Sequence, residues 1–133
     1  MLRRISVIVA SAAMLALSAL PAYASAQTST HKLSFPAAKG ISDWGTYVKT
    51  SKYVRINVCA KDTSKTDFAV GAVVIGTNSN GSRQGNLGAV AIGPGQTVCR
   101  SGRIAYTAHL KTYVFVANSH GYLAYRSGNK KIY

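Results

Sequence analysis

Turn-forming residues interrupt this chain so often that no long element fits between them. Short apolar runs are separated by Asn80-Gly81, Gly93-Pro94-Gly95, Ser101-Gly102, Asn118-Ser119-His120-Gly121 and Ser127-Gly128-Asn129. Turn signals recurring about every 8–12 residues mark a sandwich or barrel of short strands. No segment between them sustains the period of an amphipathic helix.

The clearest run is Tyr53–Lys61 (YVRINVCAK). Val54, Ile56, Val58 and Ala60 fall on one face of a strand, and Arg55, Asn57, Cys59 and Lys61 on the other. That alternation predicts a half-buried strand with one wet face. Phe68–Thr77 (FAVGAVVIGT) is apolar on both faces and reads as a central strand. Further strands are expected at Lys32–Phe35, Asn86–Ile92, Gln96–Cys99, Arg103–Thr107, Thr112–Ala117, Tyr122–Arg126 and Lys130–Tyr133. In Tyr122–Arg126, Leu123 and Tyr125 are expected to share a face. Ala37–Gly45 reads as irregular, with Ser42-Asp43-Trp44 able to start a helical turn and Trp44 plugging one end of the core. The fold class is all-β: a single antiparallel β-sandwich with an immunoglobulin-like Greek key, with a small closed β-barrel as the alternative.

The N-terminus reads as a cleaved export signal, residues 1–26. Arg3 and Arg4 precede the apolar stretch Ile5–Leu20, Pro21 ends it, and Ala24-Ser25-Ala26 supplies a small-residue cleavage site. Ala22-Tyr23-Ala24 is a second such site. The apolar stretch is shorter than a membrane span and holds three serines. Residues 27–133 then form one secreted domain. In that compartment an even pair of cysteines, Cys59 and Cys99, defaults to a disulfide. Both follow a valine on a strand, which places the bridge near the surface rather than between sheets.

Charge is the second strong feature. Sixteen Lys and Arg face three acids, Asp43, Asp62 and Asp67, and there is no glutamate. Loss of Arg3 and Arg4 leaves fourteen cations against three aspartates, a net charge of +11. Such an excess suits a polyanion: a wall polymer, anionic headgroups or nucleic acid. The cations form no continuous run, so only the fold can assemble a patch.

The same composition argues against most enzyme chemistry. Asp62 and Asp67 bracket Thr63–Thr66 and read as turn-capping residues, not a paired acid and base. No Gly-x-Ser-x-Gly elbow is present. His31, His109 and His120 lack metal-ligand spacing. A small basic nuclease would have to use His109 and His120 with Lys111, and a straight strand holds those histidines far apart. His109 reads as a polar bend and His120 as part of a turn. No cofactor and no metal is expected.

Cys59-Ala60-Lys61-Asp62-Thr63, Thr97-Val98-Cys99 and Val114-Phe115-Val116-Ala117-Asn118 together resemble the pattern of small secreted β-sandwich proteins of actinobacteria. The resemblance implies a fold and an export route, and no active site.

The function expected is therefore non-enzymatic binding of an anionic cell-wall polymer or other polyanion by a secreted monomer. The candidate contacts are Arg55, Lys61, Arg100, Arg103, Lys111, Arg126, Lys130 and Lys131, with Tyr122 and Tyr125 for stacking. Alternatives are an inhibitor or protein-binding domain using the Asn78–Gly85 loop, and a cationic antimicrobial or toxin.

Overall fold

The computed structural model describes residues 29–65, 68–105 and 107–133. The export signal expected at residues 1–26 lies outside the described residues, as do Thr66 and Asp67. Nine strands are described: β1 (Thr30–Lys32), β2 (Ile41–Lys49), β3 (Tyr53–Asp62), β4 (Ala69–Thr77), β5 (Arg83–Ile92), β6 (Thr97–Ala105), β7 (His109–Ala117), β8 (Leu123–Arg126) and β9 (Lys130–Lys131). They form two antiparallel sheets. One runs β1-β2-β3-β6, and the other runs β5-β4-β7-β8 with β9 also on β7. The sheets pack face to face as a β-sandwich and do not close into a barrel.

The connections give the Greek key. β3 pairs with β6, and β4 pairs with β7, so two interlocked pairs span the two sheets. In immunoglobulin terms β2, β3 and β6 sit where strands A, B and E sit, while β5, β4, β7 and β8 take the places of C′, C, F and G.

The core follows from alternation. Val54, Ile56, Val58 and Ala60 point inward from β3 and meet Ala72 and Val74 of β4, and Leu110 and Val114 of β7. Val54, Val58, Val74, Leu110 and Val114 are fully buried, each contributing about 1.5–3 kcal/mol of apolar burial. All nine residues of β4 are buried, as its two-sided apolarity predicts. Residues 33–35 help close the side of the sandwich. Leu33 is buried and donates its N–H to Gly45 O at 2.9 Å, and Thr112 of β7 donates its hydroxyl to Ser34 O at 2.7 Å.

The β4–β5 and β7–β8 hairpins share one turn chemistry, written Asn-Ser-x-Gly at 78–81 and again at 118–121. Asn78 Oδ1 accepts the N–H groups of Asn80 and Ser82, and Asn118 Oδ1 those of His120 and Tyr122. Gly81 and Gly121 sit at φ 90° and 81°, a conformation that glycine supplies without steric cost.

Several expected elements shift. The segment read as irregular is strand β2, and there is no helical turn at Ser42–Trp44. Its inward positions are Ile41, Asp43, Gly45 and Tyr47, so a carboxylate and a glycine hide the alternation. Trp44 is no plug: it is 44% exposed and faces outward, opposite Cys59. The first strand is Thr30–Lys32 and ends before Leu33 turns into the core. Ser101-Gly102 does not break β6, because Ser101 hydrogen-bonds Asn57 and Gly102 passes under Leu87. His109 opens β7 opposite Thr77 instead of lying in a bend. A bulge between Val116 and Ala117 pairs Tyr125 with Val116 and Leu123 with Ala117, so Leu123 and Tyr125 take opposite faces.

Candidate anion-binding face

The outward face of the β1-β2-β3-β6 sheet is built from alternate residues of each strand. β3 presents Tyr53, Arg55, Asn57, Cys59 and Lys61, and β6 presents Thr97, Cys99, Ser101, Arg103 and Ala105. β2 adds Ser42, Trp44, Thr46 and Val48, and β1 adds Thr30 and Lys32. The register sets Arg55 directly opposite Arg103 and Asn57 opposite Ser101. Ser101 donates to Asn57 Oδ1 at 3.2 Å. The Arg103 guanidinium lies 4.8 Å from the centre of the Tyr53 ring, a cation–π contact on the same face. Thr30, Thr46, Arg55, Asn57, Ser101 and Arg103 line a shallow groove of about 450 Å³.

Two like charges placed directly opposite across a ladder repel one another. Among the described residues no carboxylate lies beside them on this face to offset that repulsion. Asp43 and Asp62 both lie in the inward register of this sheet, opposite Ala60 and Ile41. No carboxylate among the described residues faces outward from it. An anion lying across Arg55 and Arg103 would relieve the repulsion. Guanidinium groups suit phosphate, sulfate or carboxylate because they donate in a planar fork.

The disulfide crosses the same face. Cys59 and Cys99 are directly opposed on β3 and β6, with Cα atoms 4.1 Å apart. The bridge thus joins neighbouring strands of one sheet, near the surface, as the sequence suggests. Trp44, Cys59 and Cys99 stand abreast in one row, with Cys59 buried and Cys99 exposed. A structural disulfide fits an oxidising compartment.

The inward carboxylates are structural. Asp62 is fully buried, and its Oδ1 accepts the N–H of Ser64 at 2.9 Å and its hydroxyl at 2.7 Å, the turn-capping role its position suggests. Burial raises the Asp43 carboxyl above its ordinary value. The folded protein therefore keeps the Asp43 proton to a higher pH than the unfolded chain does, and stability falls as pH rises through the window just above the usual carboxylate range. Asp43→Asn is expected to remove that fall. Thermal melts of the two proteins from pH 3 to 7 should converge at the acid end and separate toward neutrality, with the variant higher.

Only three of the ten candidate contacts meet on this face: Arg55, Lys61 and Arg103. Lys111 and Lys131 oppose one another on the outer face of the other sheet. Arg126 lies 3.9 Å over the Tyr113 ring there, and two of its five N–H groups donate to Ser127 O and Asn129 Oδ1. Arg100 sits in the inward register of β6 but is exposed at the sheet edge, and Lys130 pairs with Thr112 on the inward side of β7. Tyr125 faces Ala37–Lys39, and Tyr122 projects from a turn. The cations therefore do not form one patch. Sequence reasoning missed Lys32, Thr30, Thr46, Asn57 and Ser101 as companions of Arg55, because only the register brings them there. Likewise His109 opens β7 while His120 lies in the turn beyond its far end, roughly 25 Å away at strand rise, which does not suit a shared acid–base site. Among the described residues no three His, Cys, Asp or Glu side chains come together as a metal site.

No protein-family model and no curated protein matches the chain. Among solved structures, an endonuclease/exonuclease/phosphatase from Beutenbergia cavernae DSM 12333 aligns at 12% identity over 78% of this chain, with a TM-score of 0.48. The alignment spans 27% of that chain, about a quarter of its length. A likeness at that level carries no argument about chemistry.

Proposed function

We propose that the protein is an exported, non-enzymatic binding module that holds an anionic extracellular polymer on the outward face of its β1-β2-β3-β6 sheet. The observation that carries this reading is the unrelieved Arg55–Arg103 pair on a face without described carboxylates. Lys32 and Lys61 extend the positive field along the same face. Thr30, Thr46, Asn57 and Ser101 offer neutral hydrogen bonds between the cations. A flat, open groove suits a linear polymer that lies across strands better than a small substrate that must be enclosed. The one disulfide and the export-type N-terminus support an extracellular setting.

A salt titration with single-stranded DNA, a purified wall polymer and polyglutamate tests the proposal. Affinity should fall steeply with salt. Arg55→Gln with Arg103→Gln should weaken binding by roughly 10–100-fold and flatten the log–log salt slope by about 1.5–2. Lys111→Gln with Lys131→Gln should change affinity by less than about threefold. Equal losses from the two double variants would mean diffuse attraction to net charge and would remove the site. Binding to every polymer no tighter than to polyglutamate would reduce the charge to a solubility feature.

A further inference from the structure

Among the described residues seven large apolar side chains are exposed, and six of them, Phe68, Val90, Ile92, Tyr122, Leu123 and Tyr125, belong to one end of the five-stranded sheet, with Tyr125 on the side facing Ala37–Lys39 and Val90, Ile92 and Leu123 on the other. The register explains the grouping. Ile92 opposes Ala69, Ala69 opposes Ala117, and Ala117 opposes Leu123, which places the exposed Ile92 and Leu123 at the two ends of one outward row across β5, β4, β7 and β8, with the buried Ala69 and Ala117 between them. The next row carries Val90, Gly71, Phe115 and Arg126, with the Phe115 ring lying over Gly71. Phe68 is fixed at the end of the first row by N–H donation to Ala117 O and by Gly93 N–H donation to its own carbonyl. Tyr122 follows in the adjoining turn. Leu123 and Tyr122 are 63% and 73% exposed, and apolar side chains exposed together in this way, unlike scattered ones, mark a contact surface.

Cations surround this end. Lys39, Lys61, Lys65 and Arg126 are all exposed there. Asp67, next to Phe68 in the sequence, lies outside the described residues. Behind the tip, Ala37, Ala38, Val116 and Tyr125 line a mostly apolar groove with Lys39 at its side.

We infer that this end of the sandwich is a docking surface for an anionic phospholipid bilayer. Projecting apolar side chains on turns and strand ends enter an acyl layer without matching any fixed shape. Tyrosines place an apolar body in that layer and a hydroxyl at the headgroups. Lysines and arginines around them pair with lipid phosphates. Lys61 borders both surfaces, but Phe68, Ile92 and Leu123 belong to the β5-β4-β7-β8 sheet and Arg55 and Arg103 to the other, so substitutions at the two sets report on the two surfaces separately. Within the described residues no helix is long and apolar enough to cross a membrane, so the contact is a peripheral one made by strand ends and turns.

Co-sedimentation of the exported protein with vesicles tests the inference, using phosphatidylcholine alone and phosphatidylcholine with about 30 mol% phosphatidylglycerol at about 0.15 M salt. The protein should pellet with the anionic vesicles and stay in solution with the neutral ones. Phe68→Ser, Ile92→Ser and Leu123→Ser combined should lower the partition coefficient at least about tenfold. Arg55→Gln with Arg103→Gln should leave it within about threefold. All three substituted side chains are more than 45% exposed, so the core is untouched. If the triple variant nevertheless does not fold, Ile92→Ser alone should lower partition by about threefold. Wild-type protein left in solution with anionic vesicles would overturn the inference, and so would variants that pellet as wild type does.

Discussion

Replacing Cys59 and Cys99 together with alanine is expected to lower the stability of the domain by about 4 kcal/mol. The two positions are 40 residues apart in sequence. Loop closure of that length removes roughly this much chain entropy from the unfolded ensemble. The closed loop contains β4 and β5, which leave the first sheet, form a hairpin in the second and return as β6. The bridge therefore ties the two ends of a double crossover, which is the slowest and least local part of a Greek key to assemble. A domain of this size has about 5–15 kcal/mol in total. The melting temperature should drop by some 15 °C or more, read by calorimetry on wild-type and variant protein. Cys59 is buried beneath its neighbours while Cys99 is exposed, so the packing loss falls on one site only. A shift below about 1 kcal/mol would mean that β3 and β6 hold their register through the ladder alone.

The strands legible in the sequence are those whose inward residues are uniformly apolar. β3 is the best case, with Val54, Ile56, Val58 and Ala60 inward and charged or polar groups between them. β4 is legible for the opposite reason, since a strand covered on both faces needs no polar side. β2 was hidden because its inward row contains Asp43 and Gly45, two residues that local reasoning assigns to turns. Only tertiary packing explains them: Leu33 fills the space above Gly45, and Asp43 lies at the margin of the core. β6 was split at Ser101-Gly102 for a similar reason.

The binding face was harder to read than the fold. Arg55 and Arg103 are each visible as strand cations, but their pairing depends on a register between segments separated by two crossovers. Nothing local sets that register. The Cys59–Cys99 bridge is the nearest thing to a sequence marker of it, since opposed cysteines place residues four positions away opposite one another too. Counting four back from Cys59 and four forward from Cys99 reaches Arg55 and Arg103. The apolar end was missed because Ile92, Leu123 and Phe68 each read as an ordinary strand residue, and only the alignment of β5, β4, β7 and β8 brings them to one end of the sheet.

Gly45→Ala is expected to be the most damaging glycine substitution, costing about 3 kcal/mol. A Cβ at this position would stand 2.4 Å from Asn57 O, 3.0 Å from Leu33 Cδ1 and 3.2 Å from Val58 Cα. Two of those atoms are backbone, so relief requires β2 and β3 to move apart along a ladder with nine aligned residue pairs. Gly71→Ala also creates a short contact, 2.2 Å to Phe115 Cε1, but a ring on the outer face can swing aside, and about 1 kcal/mol should suffice. At Gly93 a Cβ meets nothing within 4 Å, and only its φ of 99° is strained. Urea melts of the three variants should therefore rank Gly45→Ala lowest in midpoint. The damage should also reach the binding face. Leu33 is seated against Gly45 and anchors the end of β1, so displacing it moves Thr30 and Lys32 away from Arg55. Polymer affinity should fall in Gly45→Ala under conditions where it remains folded, and should be unchanged in Gly71→Ala. Equal midpoints for these two variants would show that the close approach of β2 to β3 is not what holds the first sheet's edge in place.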